Sequence, residues 1–182
     1  RAVMPVHEFG CPVDMTGLKQ IATDFGLKVI EDAACALGAS HAGSKVGLFG
    51  EIGCFSFHPR KTLTTGEGGA LVTTDPAIAD RLRRLRNHGM QRTELGSEFV
   101  EVGFNYRMTN FQAALGRAQL PKLDSWISRR RELALHYRTL LAGVPEVQLP
   151  ADVPGHSWQT FMMVLDNMVD RNALILKLRK QG

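Results

Sequence analysis

The first third of the chain alternates strand-like and helical patterns, and that rhythm limits the fold more than any other feature. Ala2 to His7 reads as a short strand, Met15 to Phe25 as a helix and Leu27 to Glu31 as a buried strand. A β-α-β order favours a parallel sheet with right-handed crossovers, its helices lying on the sheet faces. Asp14 is a natural N-cap for the helix and Gly26 a natural stop. Further strands are expected at Gly53 to Phe57 and Ala70 to Thr73, joined by loops rich in Gly, Pro and Thr. The expected class is α/β, with a mainly parallel sheet flanked by helices.

Asp75-Pro76 predicts a helix start, and Ala77 to Leu85 carries apolar and arginine residues at helical spacing. Gln91 to Glu101 loses periodicity and is expected to be a surface loop. Helical spacing returns from Thr109 to Leu141, where Pro121 should kink or divide the helix. Val144 to Pro154 holds three prolines and no helical pattern, the mark of a domain crossing. Beyond it, Trp158 to Leu165 reads as a strand and Arg171 to Lys180 as a helix. Residues 1–143 are therefore expected to form one large domain, and 144–182 the start of a smaller α/β domain.

Composition matters here for what it excludes. Hydrophobic residues make up 44% and charged residues 22%, which is enough apolar surface to offset chain entropy. The net charge of +4 is spread along helical segments instead of a tail, so nucleic acid is not an expected partner. No apolar run reaches the roughly 18 residues that span a bilayer, and no signal-peptide pattern opens the chain, so no membrane partner is expected either. Cys11, Cys35 and Cys54 form no C-x-x-C pair, and reduced thiols in a cytoplasmic protein are the simplest account. No metal site is expected. The lack of an initiating Met reads as a piece of a longer chain.

Two stretches carry chemistry. In Ser56-Phe57-His58-Pro59-Arg60-Lys61-Thr62-Leu63-Thr64-Thr65-Gly66-Glu67-Gly68-Gly69 a lysine stands between a strand and a glycine-rich turn. A phosphate-binding Walker loop is excluded by order, because its lysine follows the glycines. In Glu31-Asp32-Ala33-Ala34-Cys35-Ala36-Leu37-Gly38-Ala39 two carboxylates end a buried strand, the edge where open parallel sheets bind ligands. Alone, Lys61 is a solvated lysine and Asp32 a turn cap. Together, an Asp and a Lys on nearby strand ends match what pyridoxal 5'-phosphate needs: an amine for its aldehyde and a carboxylate to keep its ring nitrogen protonated.

Several motifs in one order then resemble the DegT/StrS family of sugar aminotransferases, which has the type I fold of pyridoxal-phosphate enzymes. They are Val6-His7 to Gly10, Asp14-Met15, Glu31-Asp32-Ala33-Ala34, Gly47 and Gly50, Ser56-Phe57 to Lys61, and Gly66-Glu67-Gly68-Gly69. Arg86-Asn87-His88-Gly89, Gly103-Phe104-Asn105-Tyr106-Arg107-Met108 and Gln112-Ala113-Ala114 continue the series.

The resemblance implies that Lys61 forms the Schiff base, Asp32 pairs with the pyridine nitrogen and Ala34 lies against the ring face. It implies that Ser56 binds the cofactor phosphate, and that Asn105 reaches the phosphate held by a neighbouring subunit, making a homodimer with shared sites. The implied reaction moves an amino group from glutamate or glutamine to a nucleotide-diphosphate keto-sugar, or to an aminocyclitol ketone, with ping-pong kinetics. Relatives that dehydrate a deoxysugar, and a non-catalytic cofactor-binding or sensor protein, are the alternatives. Lys61 argues against the dehydratase branch whose lysine is replaced by histidine.

Where the family usually has Gln, three residues after the Asp, this chain has Cys35, a weak hydrogen-bonding group. The family's N-terminal portion, with a ring-stacking residue and further phosphate donors, lies outside these residues. His58 is read evenly as a substrate contact or a packing residue, and His88 as part of a helix end. Arg129, Arg130 and Arg131 are expected on a solvated helix face, and Phe111 and Trp126 in core or dimer packing.

Overall fold

Asp14 turns the entering chain into α1 (Met15–Asp24), its Oδ1 accepting the N–H groups of Thr16 and Gly17. Gly26, at φ +60°, then reverses the chain into the next strand, as a residue without Cβ can. This computed structural model describes residues 1–182. Its main sheet has the order β1 (Ala2–Val3), β2 (Lys28–Asp32), β5 (Ile52–Ser56), β6 (Gly69–Val72). The β1–β2 and β2–β5 pairs are parallel, and only β6 runs antiparallel. The expected α/β class with a mainly parallel sheet is what is found.

The first strand is shorter than the Ala2 to His7 run predicts. Pro5 has no N–H to donate, so the ladder stops and resumes as a single bridge between Val6 and Asp32. The link between β2 and β5 contains no helix but a small hairpin, β3 (Ser40–His41) and β4 (Ser44–Lys45). Its two turn residues, Ala42 and Gly43, both have positive φ, the geometry that matches strand twist in a tight hairpin.

Beyond the sheet, Asp75 caps α2 (Pro76–Leu85). The stretch expected to be a loop is instead a hairpin, β7 (Met90–Thr93) and β8 (Gly96–Phe99). Seven of its eight strand residues are exposed, so neither face requires apolar residues and no alternation is written into the sequence. A Thr109 and Gln112 capping box opens α3 (Asn110–Gln119). Pro121 divides the long helical stretch as expected: a 3-10 turn at Leu120–Lys122 precedes α4 (Leu123–Leu141).

The prolines of 144–154 flank a two-residue strand, β9 (Val147–Gln148), paired antiparallel with β10 (Val164–Leu165). The strand expected from Trp158 shrinks to those last two residues, because Trp158 has φ +52° and the N–H of Ser157 before it is taken by the carbonyl of Gly10. Asp170 caps the last helix, α5 (Arg171–Arg179).

Two small apolar clusters fix the sheet. Met15, Ala22 and Val29 pack with Val3, Val13, Leu18, Leu27 and Phe49 where α1 meets β2. Ala33, Ala36, Ala39 and Val46 pack against Phe55 beneath the strand ends. A third element is aromatic: rings of His156 and Trp158 stack at 3.9 Å, and Phe161 links Trp158 to Tyr137 of α4.

The arginine triplet is not a uniformly solvated face. Arg130 donates to the carbonyls of Trp158 and Gln159, both at 3.1 Å, and Arg131 to that of His156 at 3.2 Å. Arg129 and Arg131 are nonetheless exposed, and Arg129 pairs with Glu132. Helix spacing cannot foresee this, since the acceptors lie 25 or more residues away. Of the two aromatics assigned to packing, Trp126 is half-buried but Phe111 is 81% exposed.

Candidate active site

The parallel pair β2 and β5 sets the site. In register, Asp32 stands opposite Cys54, which puts Asp32 and Ser56 at the carboxyl ends of adjacent strands. Strand alternation sends Glu31 and Asp32 to opposite faces of the sheet. Glu31 is fully buried, where its carboxylate accepts N–H bonds from Gly47 and Phe49 at 2.7 Å, Gly50 at 2.8 Å and the His7 ring at 3.1 Å. Burial pushes the Glu31 carboxyl up, but those four bonds outweigh it and hold its pKa below the usual range.

Asp32 is half-buried and its Oδ1 accepts the N–H of Ala34 at 3.0 Å, a turn that leaves Oδ2 for another donor. The neighbouring Cys54 thiol is raised by burial and then by the charges of Asp32 and Glu31, so it stays protonated near neutral pH. Ser56 Oγ accepts the N–H of His58 at 3.3 Å, which leaves its own hydrogen to donate.

Between β5 and β6 the loop of residues 57–68 carries Lys61. Its Nζ lies 3.0 Å from Cys35 Sγ, three residues beyond Asp32. The structure thus brings Asp32, Ala34, Cys35, Ser56 and Lys61 to one edge of the sheet. Small residues line it: Ala33 and Ala36 are fully buried and Ala34 half-buried.

Asn105 is placed elsewhere. It is exposed, its Oδ1 accepts from Arg107 at 2.9 Å, and its backbone bridges to Asn87 beyond α2. His58 turns its Nδ1 to the N–H of Arg60, a structural role within the loop, and His88 donates its N–H to Phe104 at the end of α2.

A model of the DegT/DnrJ/EryC1/StrS aminotransferase family matches residues 1–182. The chain belongs to this family. It is 44% identical over 170 residues to the erythromycin biosynthesis sensory transduction protein EryC1 of Saccharopolyspora erythraea, covering 91% of this chain and 45% of that protein. It is 45% identical over 155 residues to dTDP-3-amino-3,4,6-trideoxy-alpha-D-glucose transaminase of Streptomyces venezuelae, covering 85% of this chain and 40% of the relative. The crystal structure of S. venezuelae DesV in complex with ketimine intermediate superposes with a TM-score of 0.90 and 41% identity, over the whole of this chain and 48% of that one. The chain spans about half the length of the curated relatives it matches. Its structural neighbours in the DegT/DnrJ/EryC1/StrS family have fold type I.

Three site features have no sequence signal. Glu31 reads as half of a carboxylate pair, whereas its partners are the backbone of 47–50 and His7. Gln119 and Gln159 both bond the lysine loop, from 55 and 97 residues away. Such pairings follow no periodicity.

Proposed function

We propose that this chain is the lysine-bearing part of a pyridoxal 5'-phosphate-dependent aminotransferase that moves an amino group from glutamate or glutamine to a nucleotide-diphosphate keto-sugar. One observation carries the reading: Lys61 Nζ stands 3.0 Å from Cys35, on the strand edge that also presents Asp32 and Ser56. The donor set fits the cofactor, with an amine, a carboxylate with one oxygen uncommitted, a hydroxyl with a hydrogen to give, and alanines where a flat ring would lie. The family's members depend on the same cofactor.

When bound, pyridoxal phosphate supplies an aldehyde that captures amines and a ring that draws electrons from the substrate carbon. Asp32 holds a proton on the ring nitrogen through opposite charge. Ser56 donates to a phosphate oxygen, and Ala34 packs against the ring face. Lys61 Nζ would take the proton from the donor α-carbon as base and deliver it as acid to the cofactor carbon C4'. Cys35, in place of an amide, gives the ring hydroxyl only a weak partner.

Asn105 is assigned to the site of a second copy, in a homodimer with shared active sites. Its exposure supports this, as does the apolar surface around it, where Val102 is 85% and Tyr106 73% exposed. Residues 1–143 are assigned to the cofactor-binding large domain and 144–182 to the start of the small domain, with a cytoplasmic setting for the free thiols.

Lys61→Ala in the intact protein should lower turnover by at least about a thousandfold and remove the visible absorbance of bound cofactor. Retention of both would overturn the assignment. Release of 2-oxoglutarate from glutamate separates amination from dehydration of the sugar.

A further inference from the structure

We propose that Gln159 is a positioning residue that aims Lys61, gripping the two peptide groups that flank it. The Gln159 Nε2 donates to the carbonyl of Arg60 at 2.7 Å, and its Oε1 accepts the N–H of Thr62 at 3.0 Å and the Thr62 hydroxyl at 3.2 Å. Arg60 C=O belongs to the peptide entering Lys61, and Thr62 N–H to the peptide leaving it. One planar amide therefore ties down both backbone groups on either side of the lysine Cα, and so fixes the direction of its side chain.

The grip is itself anchored. The carbonyl of Gln159 accepts from Arg130 of α4 at 3.1 Å, and the N–H of Trp158 donates to His156 Nδ1 at 2.9 Å. Ser40 N–H donates to the carbonyl of Gly155, Ser157 N–H to that of Gly10 and Thr160 N–H to that of Phe9, so the backbone is held on both sides of Gln159. The rest of the loop is held separately from α3. Gln119 bonds both the N–H and the carbonyl of Thr64, at 3.2 and 2.7 Å, and Gln112 donates to the carbonyl of Glu67 at 3.0 Å. The Lys61 N–H itself donates to the carbonyl of His58 at 2.9 Å within the loop, whereas Gln159 holds the peptides on either side from the region assigned to the small domain.

The proposal rests on Lys61 being the cofactor lysine, and its test separates the two. Hydrogen exchange at Thr62 and Thr64 is measured in the intact protein and in its Gln159→Ala, Gln159→Glu and Gln119→Ala variants. Gln159→Ala should speed Thr62 exchange roughly tenfold, from loss of the hydrogen bond that holds this N–H, and leave Thr64 within about twofold. Gln119→Ala should do the reverse. Gln159→Glu keeps the acceptor for Thr62 and should restore slow exchange there. In the cofactor-loaded protein, Gln159→Ala should also move the pH midpoint of the visible cofactor band and lower kcat with the donor KM unchanged.

Unchanged Thr62 exchange and an unchanged midpoint in Gln159→Ala would overturn the proposal. So would an equal rise across β2 and β5 in both Gln159 variants, which would make the residue one that holds the fold. If the parent protein shows no cofactor band, the functional reading fails while the exchange data still report the grip.

Discussion

Glu31 and Asp32 are neighbours of the same chemistry and are used in opposite ways. Asp32 keeps an oxygen free at the site, whereas Glu31 spends its carboxylate on four donors inside the protein. His7 ties Glu31 to the segment that leads into α1: its Nδ1 accepts the N–H of Val13, so Nε2 carries the hydrogen that meets Glu31. Removing Glu31 strands three backbone N–H groups and the ring N–H of His7. Glu31→Ala should therefore cost about 3–5 kcal/mol in chemical denaturation, and Glu31→Gln, which keeps one oxygen, clearly less. The strand-end carboxylates are legible in the sequence as a pair. Their division of labour is not, because it depends on which face of β2 meets the 47–50 turn.

At the scale of elements, capping and breaking residues speak through their own neighbours in sequence. Asp14, Asp75, Thr109 and Pro121 all act where local chemistry predicts. The hairpin at 90–99 is silent because water touches both faces, and the strand expected at Trp158 fails because long-range anchors bend it. Gly155 is the hinge of that anchored segment. It sits at φ +82° with the Ser40 carbonyl where a Cβ would be, so any side chain is strained twice. Gly155→Ala should lower stability by at least about 1–2 kcal/mol and open the chain near 150–160 to protease. A melting temperature and a cleavage pattern unchanged from the parent would show that the segment is not held by this contact.

For the whole molecule, acid is the most direct probe of the buried polar network. His156 is pulled down to about 4, first by burial and then by the nearby Arg131 charge, with Asp152 opposing. Between its ordinary value near 6.5 and about 4 the unfolded chain binds a proton that folded His156 refuses. Stability therefore falls as pH drops through that window, by on the order of 3 kcal/mol. Glu31 adds to the loss below its ordinary value of 4.5, because its folded carboxylate must then be protonated. Urea midpoints at pH 7 and pH 4.5 should show the decline, and His156→Gln should flatten the upper part of it. An acid-insensitive midpoint would contradict the burial of this ring. No helix is long and apolar enough to cross a membrane.

Read alone, the 182 residues determine the α/β class, most helix boundaries and the lysine and aspartate at the strand ends, because these depend on local pattern and on motifs in order. Tertiary structure decides which backbone groups surround Lys61, what Glu31 holds and where Arg130 points. Those outcomes are hydrogen bonds between residues 16 to 99 positions apart, and a side-chain amide or guanidinium has no sequence period that names its partner.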